Sequence, residues 1–173
     1  MIRPGAGGRA TGYTIGVAGC GRMGTPMLAN LRRSRIPARG FDIRDAESYG
    51  PLSPFVTNDP ERFGEGLKTL ITVVRDAAQT EDVLFGTQNL IARAPELETI
   101  IISSTLSPRW LRRLRDRVPA RIMLIDAPMS GAEIGAKEAR LTFMLGGPAH
   151  VLDKLQPLFA AMGKFKLKHV PYR

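Results

Sequence analysis

A G-x-G-x-x-G pattern, formed by Gly19, Gly21 and Gly24, constrains the fold of this chain more than any other feature. The β-prone apolar run 13–18 precedes it, and apolar residues at helical spacing follow it over residues 22–35. A glycine turn in this context is typical of a dinucleotide-binding unit. The first glycine allows a tight turn, the second lets a diphosphate approach the backbone, and the third lets the helix pack closely on the strand. The alternative is a turn that merely joins a strand to a helix.

An acidic residue follows the motif at the distance that such a unit requires. Asp42 ends a second predicted strand, residues 38–43, and stands 18 residues after Gly24. A carboxylate there can accept hydrogen bonds from the hydroxyls of the adenosine ribose, which favours NAD over NADP. Arg44 could instead hold a 2′-phosphate, so NADP stays open as the second cofactor.

Strand-like and helix-like segments alternate along the rest of the chain. Strands are predicted at 55–56, 67–74, 98–103, 122–125, 141–145 and 165–170, helices at 76–94, from 108 onward and at 148–162, and a loop at 49–60. Asp76 and Ser107 are expected to cap two of the helices. The alternation implies an α/β fold of the Rossmann type, a doubly wound and mostly parallel sheet covered by helices on both faces. We expect this domain to span residues 13–173, after a flexible tail over residues 1–12.

Charge and composition narrow the classes of partner. The formal net charge is +9, which attracts anions. The densest basic run, residues 109–117, has apolar residues at helical spacing, so we interpret it as a surface helix with a solvated arginine face. No nucleic-acid-binding motif accompanies it, and we do not expect a nucleic acid partner. No apolar run is long enough to span a membrane, and none resembles a signal peptide, so no membrane partner is expected.

The single cysteine, Cys20, excludes an internal disulfide and favours a reduced, cytoplasmic setting. Cys20 lies inside the glycine motif near a predicted helix N-terminus, where the pKa of a thiol tends to fall. It is either a redox-sensitive residue of the site or one small residue among several that the position tolerates. Neither His150 nor His169 has the spacing of a metal ligand, so no metal site is expected.

Four segments, in order, resemble the β-hydroxyacid dehydrogenase family, which includes 3-hydroxyisobutyrate, tartronate-semialdehyde and 6-phosphogluconate dehydrogenases. They are residues 19–31, 70–75, 103–108 and 126–147. The resemblance extends from Tyr13 to His169, and its most specific part is the Asp-Ala-Pro-x-Ser-Gly element that begins at Asp126.

The resemblance implies two neighbouring sites. The cofactor-binding residues would be Gly19, Gly21, Arg22, Met23, Gly24, Asp42, Val74, Arg75 and Thr105, and the substrate-binding residues Ser130, Gly131 and Ala132. A serine hydroxyl and exposed backbone N–H groups suit a small carboxylate. Two positions depart from the family, which commonly has a glycine at Ala132 and a proline at Arg75.

The resemblance also implies a reaction, hydride transfer between a nicotinamide cofactor and a small 3-hydroxy acid. In the family the proton donor is a lysine beyond the sheet domain, on a helix that leads into an all-helical second domain, which usually mediates homodimer formation. We expect that lysine to lie beyond Arg173 and the helical domain to be absent from this chain. Lys164, Lys166 and Lys168 are therefore not assigned a catalytic role.

We accordingly expect the chain to bind dinucleotide but to turn over poorly by itself. Two alternatives remain at this point, a related imine or semialdehyde reductase and a dinucleotide-binding module without catalysis.

Overall fold

The structure is a computed structural model that describes residues 14–168, with side chains described up to residue 165. The predicted tail over residues 1–12 lies outside the described residues, as does His169.

Nine strands within residues 14–168 form one sheet. They are β1 (Ile15–Ala18), β2 (Ala38–Phe41), β3 (Val56–Thr57), β4 (Thr69–Thr72), β5 (Thr99–Ile102), β6 (Met123–Asp126), β7 (Met129–Ser130), β8 (Leu141–Gly146) and β9 (Gly163–Lys168). The order is β3-β2-β1-β4-β5-β6-β8-β7, and β9 pairs with β8. The first six strands are parallel, and β8 runs antiparallel to β6 and β7. The predicted doubly wound, mostly parallel sheet is confirmed.

In the same part of the chain, seven α-helices connect the strands. They are α1 (Gly24–Arg33), α2 (Pro60–Gly64), α3 (Ala77–Leu84), α4 (Leu90–Arg93), α5 (Pro108–Arg117), α6 (Ala132–Lys137) and α7 (Ala149–Ala160). Asp76 and Ser107 cap α3 and α5 as predicted, because their side chains accept hydrogen bonds from the backbone N–H groups of Gln79 and Trp110. Asp59 caps α2 in the same way.

Three predicted segments differ from the structure. The predicted loop at 49–60 contains most of a 3₁₀ segment, Ala46–Phe55, which is kinked at Gly50, and it ends where α2 begins. The predicted helix at 76–94 is two helices, α3 and α4, because Asn89 takes a left-handed conformation with φ of 43°. Helices α2 and α6 and strand β7 were not predicted, and β9 begins at Gly163, two residues earlier than expected.

The core consists of two apolar clusters, one on each face of the sheet. Val17, Ile71 and Ile101 point to one face, where they pack with α1 and α7. Their neighbours on the same strands, Leu70 and Ile100, point to the other face, where α3, α4 and α5 cover them. Alternate residues of each central strand are therefore buried on opposite sides of the sheet. This explains why the sequences of these strands are continuous apolar runs.

Helix α5 is a surface helix, as the arginine-rich run predicted. Leu114 is its buried residue, while Arg109, Arg112 and Arg113 are exposed. Arg117 forms an ion pair with Glu81, with 2.6 Å between Nη2 and Oε1.

The turn between α6 and β8 holds an alanine in a conformation that L-residues disfavour. The φ of Ala139 is 53°, and the left-handed region costs such a residue roughly 1–2 kcal/mol. Glycine escapes this cost and loses about 0.5–1 kcal/mol of backbone entropy instead. We expect Ala139→Gly to raise the free energy of unfolding by roughly 0.5–1 kcal/mol in urea denaturation.

The matched control is Ala160→Gly at the exposed end of α7, where the backbone is helical. This change should lower the free energy of unfolding by up to about 1 kcal/mol. If Ala139→Gly lowered the free energy of unfolding as much as Ala160→Gly, the claim that the backbone at Ala139 is strained would be wrong.

Candidate functional site

A cleft of about 1060 Å³ lies along the carboxyl ends of β1, β2, β4 and β5. Parallel strands of an open α/β sheet bind ligands at this edge. Nine of the predicted site residues line the cleft, namely Gly19, Gly21, Arg22, Met23, Asp42, Val74, Arg75, Thr105 and Ala132. Gly24 lies buried behind the loop, and Ser130 and Gly131 stand between two lining residues, Met129 and Ala132. The structure therefore brings together residues that are more than 100 positions apart in the sequence.

Two of the three motif glycines are required by the packing of the protein itself. A Cβ on Gly24 would stand 2.0 Å from the carbonyl oxygen of Gly19, and one on Gly19 would stand 2.5 Å from the carbonyl oxygen of Val73. Gly21 is different, because a Cβ there would have no atom within 4 Å in the described chain other than those of its own residue and its two chain neighbours. The fold therefore explains Gly19 and Gly24 but leaves Gly21 without a structural reason to be glycine.

Helix α1 directs its N-terminus at the glycine loop. Its first backbone hydrogen bond runs from the N–H of Thr25 to the carbonyl of Gly21, and the Thr25 hydroxyl donates to the carbonyl of Cys20. The first turn contains no acidic residue, and Arg32 and Arg33 lie in the last turn. A helix N-terminus carries partial positive charge and free N–H groups, so the loop suits an anion such as a phosphate.

Asp42 stands at the end of β2 with an arginine already bound to it. The Nε and backbone N–H of Arg44 donate to Oδ1 of Asp42, both at 3.2 Å, and Nη2 of Arg44 donates to the carbonyl of Cys20 at 2.8 Å. Burial of the Asp42 carboxyl, whose side chain is 11% exposed, works to raise its pKa. The hydrogen bonds and charge of Arg44 outweigh burial, so the pKa lies below its usual value and Asp42 is ionised at neutral pH.

Cys20 is fully buried between the glycine loop and β2. A Cβ on Gly40 would stand 2.6 Å from its Sγ, which shows how closely the thiol packs on that strand. Burial, followed by the negative charge of Asp42, raises the pKa of Cys20 to about 12. The predicted lowering of its pKa by a helix N-terminus is therefore wrong, and the thiol is neutral and shielded. Its packing agrees with the simpler interpretation, a small residue in a tight loop.

Three serine and threonine residues follow β5 at the far side of the cleft. The backbone N–H of Ser103 donates to the carbonyl of Thr72, and the hydroxyl of Ser104 donates to the carbonyl of Val74. Ser103, Ser104 and Thr105 all line the cleft, whereas sequence reasoning assigned only Thr105. Ile43 was missed as well, although its position directly after Asp42 is a signal that could have found it. It is 75% exposed at the opposite end of the cleft.

The segment with Ser130, Gly131 and Ala132 is held in place through α6. The buried Asn30 of α1 donates from Nδ2 to the carbonyl of Ala136 at 2.6 Å. Gly131 has a φ of 133°, and Ala132 has a φ of 52°, a strained value for alanine. The helix that begins at the glycine loop is therefore bonded directly to the helix that follows the predicted substrate segment.

Neither a membrane span nor a metal centre is present in the part of the chain that the structure describes. No helix there is long and apolar enough to cross a bilayer. No three or more His, Cys, Asp or Glu side chains there come together as metal ligands.

The family described as the NAD binding domain of 6-phosphogluconate dehydrogenase matches residues 14–171. The chain is 33% identical to 2-hydroxy-3-oxopropionate reductase of Escherichia coli over 87% of its own length and 52% of that protein. The solved structure of Mycobacterium tuberculosis 3-hydroxyisobutyrate dehydrogenase with L-serine superimposes with a TM-score of 0.75 at 30% identity, over 91% of this chain and 54% of that one.

An imine reductase variant from Myxococcus stipitatus, in complex with NAD⁺, shares the fold with a TM-score of 0.76 at 14% identity, over 91% of this chain and 55% of that one. The chain spans about half the length of the curated relatives it matches.

The hydrogen bond between α1 and α6 can be tested through stability. We expect Asn30→Ala to lower the free energy of unfolding by about 0.5–1.5 kcal/mol, because the hydrogen bond between the two helices is lost while the carbonyl of Ala136 still accepts from the N–H of Ala139. Denaturant unfolding measures the change. Asn58→Ala is the matched control, since Asn58 is exposed and bonds to the exposed Asp45, and it should change stability by less than about 0.5 kcal/mol. Equal effects of the two changes would refute the role of Asn30.

Proposed function

The chain belongs to the family of the NAD binding domain of 6-phosphogluconate dehydrogenase, and from this premise we propose that its cleft binds a nicotinamide dinucleotide, NAD in preference to NADP. Gly21 carries this proposal. It lines the cleft in a position where the packing of the folded chain does not require glycine, and the space left by its missing side chain is open to a ligand. A diphosphate at the N-terminus of α1 would occupy that space.

The length of the cleft supports the same ligand. Asp42 follows β2 and Ser103 follows β5, and these strands are three positions apart in the sheet. At the usual spacing between strands this is about 14 Å, enough to separate the two ends of an extended dinucleotide. The adenosine ribose would bond to Asp42, with Ile43 against the adenine, and the nicotinamide would lie towards residues 103–105.

The charges of Asp42 and Arg44 favour NAD over NADP. The ionised carboxylate of Asp42 is an acceptor for ribose hydroxyls and would repel a 2′-phosphate. Arg44, the residue that could hold such a phosphate, is engaged by Asp42 and by the carbonyl of Cys20. A 2′-phosphate would have to break these bonds, and NADP is therefore the weaker ligand in this proposal.

For the whole protein we propose hydride transfer between the nicotinamide and a small 3-hydroxy acid. The names of the relatives, 2-hydroxy-3-oxopropionate reductase and 3-hydroxyisobutyrate dehydrogenase, support this class. The bound cofactor supplies the hydride chemistry, and this chain supplies position. The acid's carboxylate would lie at Ser130, Gly131 and Ala132. We further propose that the whole protein has a helical second domain, which carries the catalytic lysine and mediates homodimer formation. We also propose a cytoplasmic location, which is consistent with the free thiol of Cys20.

The Ser130 segment supports an acid over an imine as the substrate, because a hydroxyl beside backbone N–H groups suits a carboxylate. The imine reductase shares only the fold with this chain. If a full-length protein reduced cyclic imines but no 3-oxo acid, that substrate class would be wrong while dinucleotide binding would stand.

The Gly21→Ala variant tests the role of this residue in ligand binding separately from its role in folding. We expect its unfolding free energy to stay within about 0.5 kcal/mol of the wild type, because the new Cβ meets open space. We expect its affinity for NADH to fall at least about tenfold in calorimetry, because the methyl group takes the place of a phosphate oxygen. Gly24→Ala is the contrasting variant and should lose stability itself. A Gly21→Ala protein that bound NADH like the wild type would remove the main support for the proposal.

Asp42→Ala tests the cofactor preference. NADH should bind about 10–100-fold more weakly, because the ribose loses a charged acceptor. NADPH should lose little or gain, because Arg44 is released to meet the 2′-phosphate. Asp45→Ala, at an exposed carboxylate three residues further on, should leave both affinities unchanged. Unaltered NADH binding by Asp42→Ala would show that the ribose lies elsewhere.

A further inference from the structure

The hydroxyl of Ser103 is buried at the wall of the cleft without a hydrogen-bond partner. Ser103 is 2% exposed and lines the cleft, and its Oγ has no partner among the residues that the structure describes. Two other buried hydroxyls on this edge of the sheet are engaged, since Thr72 donates to the carbonyl of Ile101 and Ser104 to that of Val74. A buried polar group left unpaired destabilises a protein, so its presence in a cleft calls for a partner that arrives from outside.

Hydrogen bonds to adjacent strands fix the backbone around Ser103, whereas no hydrogen bond within the described residues holds its hydroxyl. The N–H of Ser103 donates to the carbonyl of Thr72 at 3.1 Å, and the carbonyl of the preceding Ile102 accepts from Ala127 at 2.8 Å. The sheet thus holds the Cα in place on both sides. Rotation about the Cα–Cβ bond still moves Oγ among three staggered positions, so the hydroxyl can adjust to a ligand without a change in the fold.

The surroundings of Ser103 indicate the chemistry of that ligand. The other side chains that line the cleft on this side include the apolar Val73, Val74 and Met129. Arg75, Ser104 and Thr105 line the same side, so this part of the cleft combines apolar walls with a few polar groups, which suits a flat ring that carries a polar substituent. The nicotinamide ring with its carboxamide is such a group, and the far end of the cleft, at Asp42, is already assigned to adenosine in the proposed function.

We propose that Ser103 is a binding residue for the nicotinamide half of the dinucleotide, its hydroxyl bonding to the carboxamide and thereby fixing the ring in front of residues 130–132. This inference rests on the proposed function. It predicts two effects of removing the hydroxyl, one on binding and one on stability, that would not occur together if Ser103 had only a structural role. Loss of the hydroxyl should weaken binding of the whole dinucleotide and, in the same variant, should stabilise the unliganded protein, because an unpaired buried group is removed.

The test compares Ser103→Ala with Ser104→Ala and uses two ligands, NADH and ADP-ribose, which lacks the nicotinamide. In calorimetry, Ser103→Ala should bind NADH about 5–10-fold more weakly and ADP-ribose within twofold of the wild type. In urea, its unfolding midpoint should match or exceed that of the wild type. Ser104→Ala should unfold at lower urea, because its hydroxyl bonds within the protein.

Equal losses for NADH and ADP-ribose, an unchanged NADH affinity, or a destabilised Ser103→Ala protein would each overturn the inference. Binding of ADP-ribose by all variants would meanwhile uphold the proposed function. A wild-type protein that bound neither ligand would overturn the proposed function and this inference together.

Discussion

The rest of the structure depends on the contact between Gly24 and the carbonyl of Gly19. A Cβ on Gly24 would stand 2.0 Å from that oxygen, so only glycine lets α1 begin directly over the end of β1. This approach points the helix N-terminus at the carboxyl edge of the sheet, and the loop between the two glycines presents its backbone there. Every other feature of the site is arranged around this loop, with Asp42 and Arg44 on one side and residues 103–105 on the other.

The cleft differs in chemistry on the two sides of the glycine loop, because the lining residues on each side follow different strands. The loop after β2 brings a half-buried, ionised carboxylate that is paired with an arginine. The loops after β4 and β5 bring apolar side chains, hydroxyl groups and Arg75. The bond from Asn30 to the carbonyl of Ala136 ties α1 to α6, so the segment at residues 130–132 is positioned by the same helix that begins at the glycine loop. The cofactor and substrate positions in the proposed function thus share helix α1 as a support.

The sequence predicted those parts of the fold and site that depend on local chemistry. The glycine motif, the Asp76 and Ser107 caps and the alternating apolar runs each act through neighbouring residues, and the structure has them where they were predicted. Features set by distant contacts were missed. The pKa of Cys20 is raised by burial that folding creates, and the unpaired hydroxyl of Ser103 is evident only once the adjacent strands are in place. Helix α6 was missed because it has six residues and is held by a partner more than 100 positions away.

Backbone amide NMR of the chain during titration with NADH tests the central claim most directly. If the cleft is the dinucleotide site, the largest shifts will fall at residues 21–24, at Asp42 and its neighbours, and at residues 103–105, which belong to three separate loops. The exposed arginines of α5 will remain unaffected. An absence of shifts in a folded sample would contradict the account, and so would shifts centred on α5, which would show that charge alone attracts the ligand.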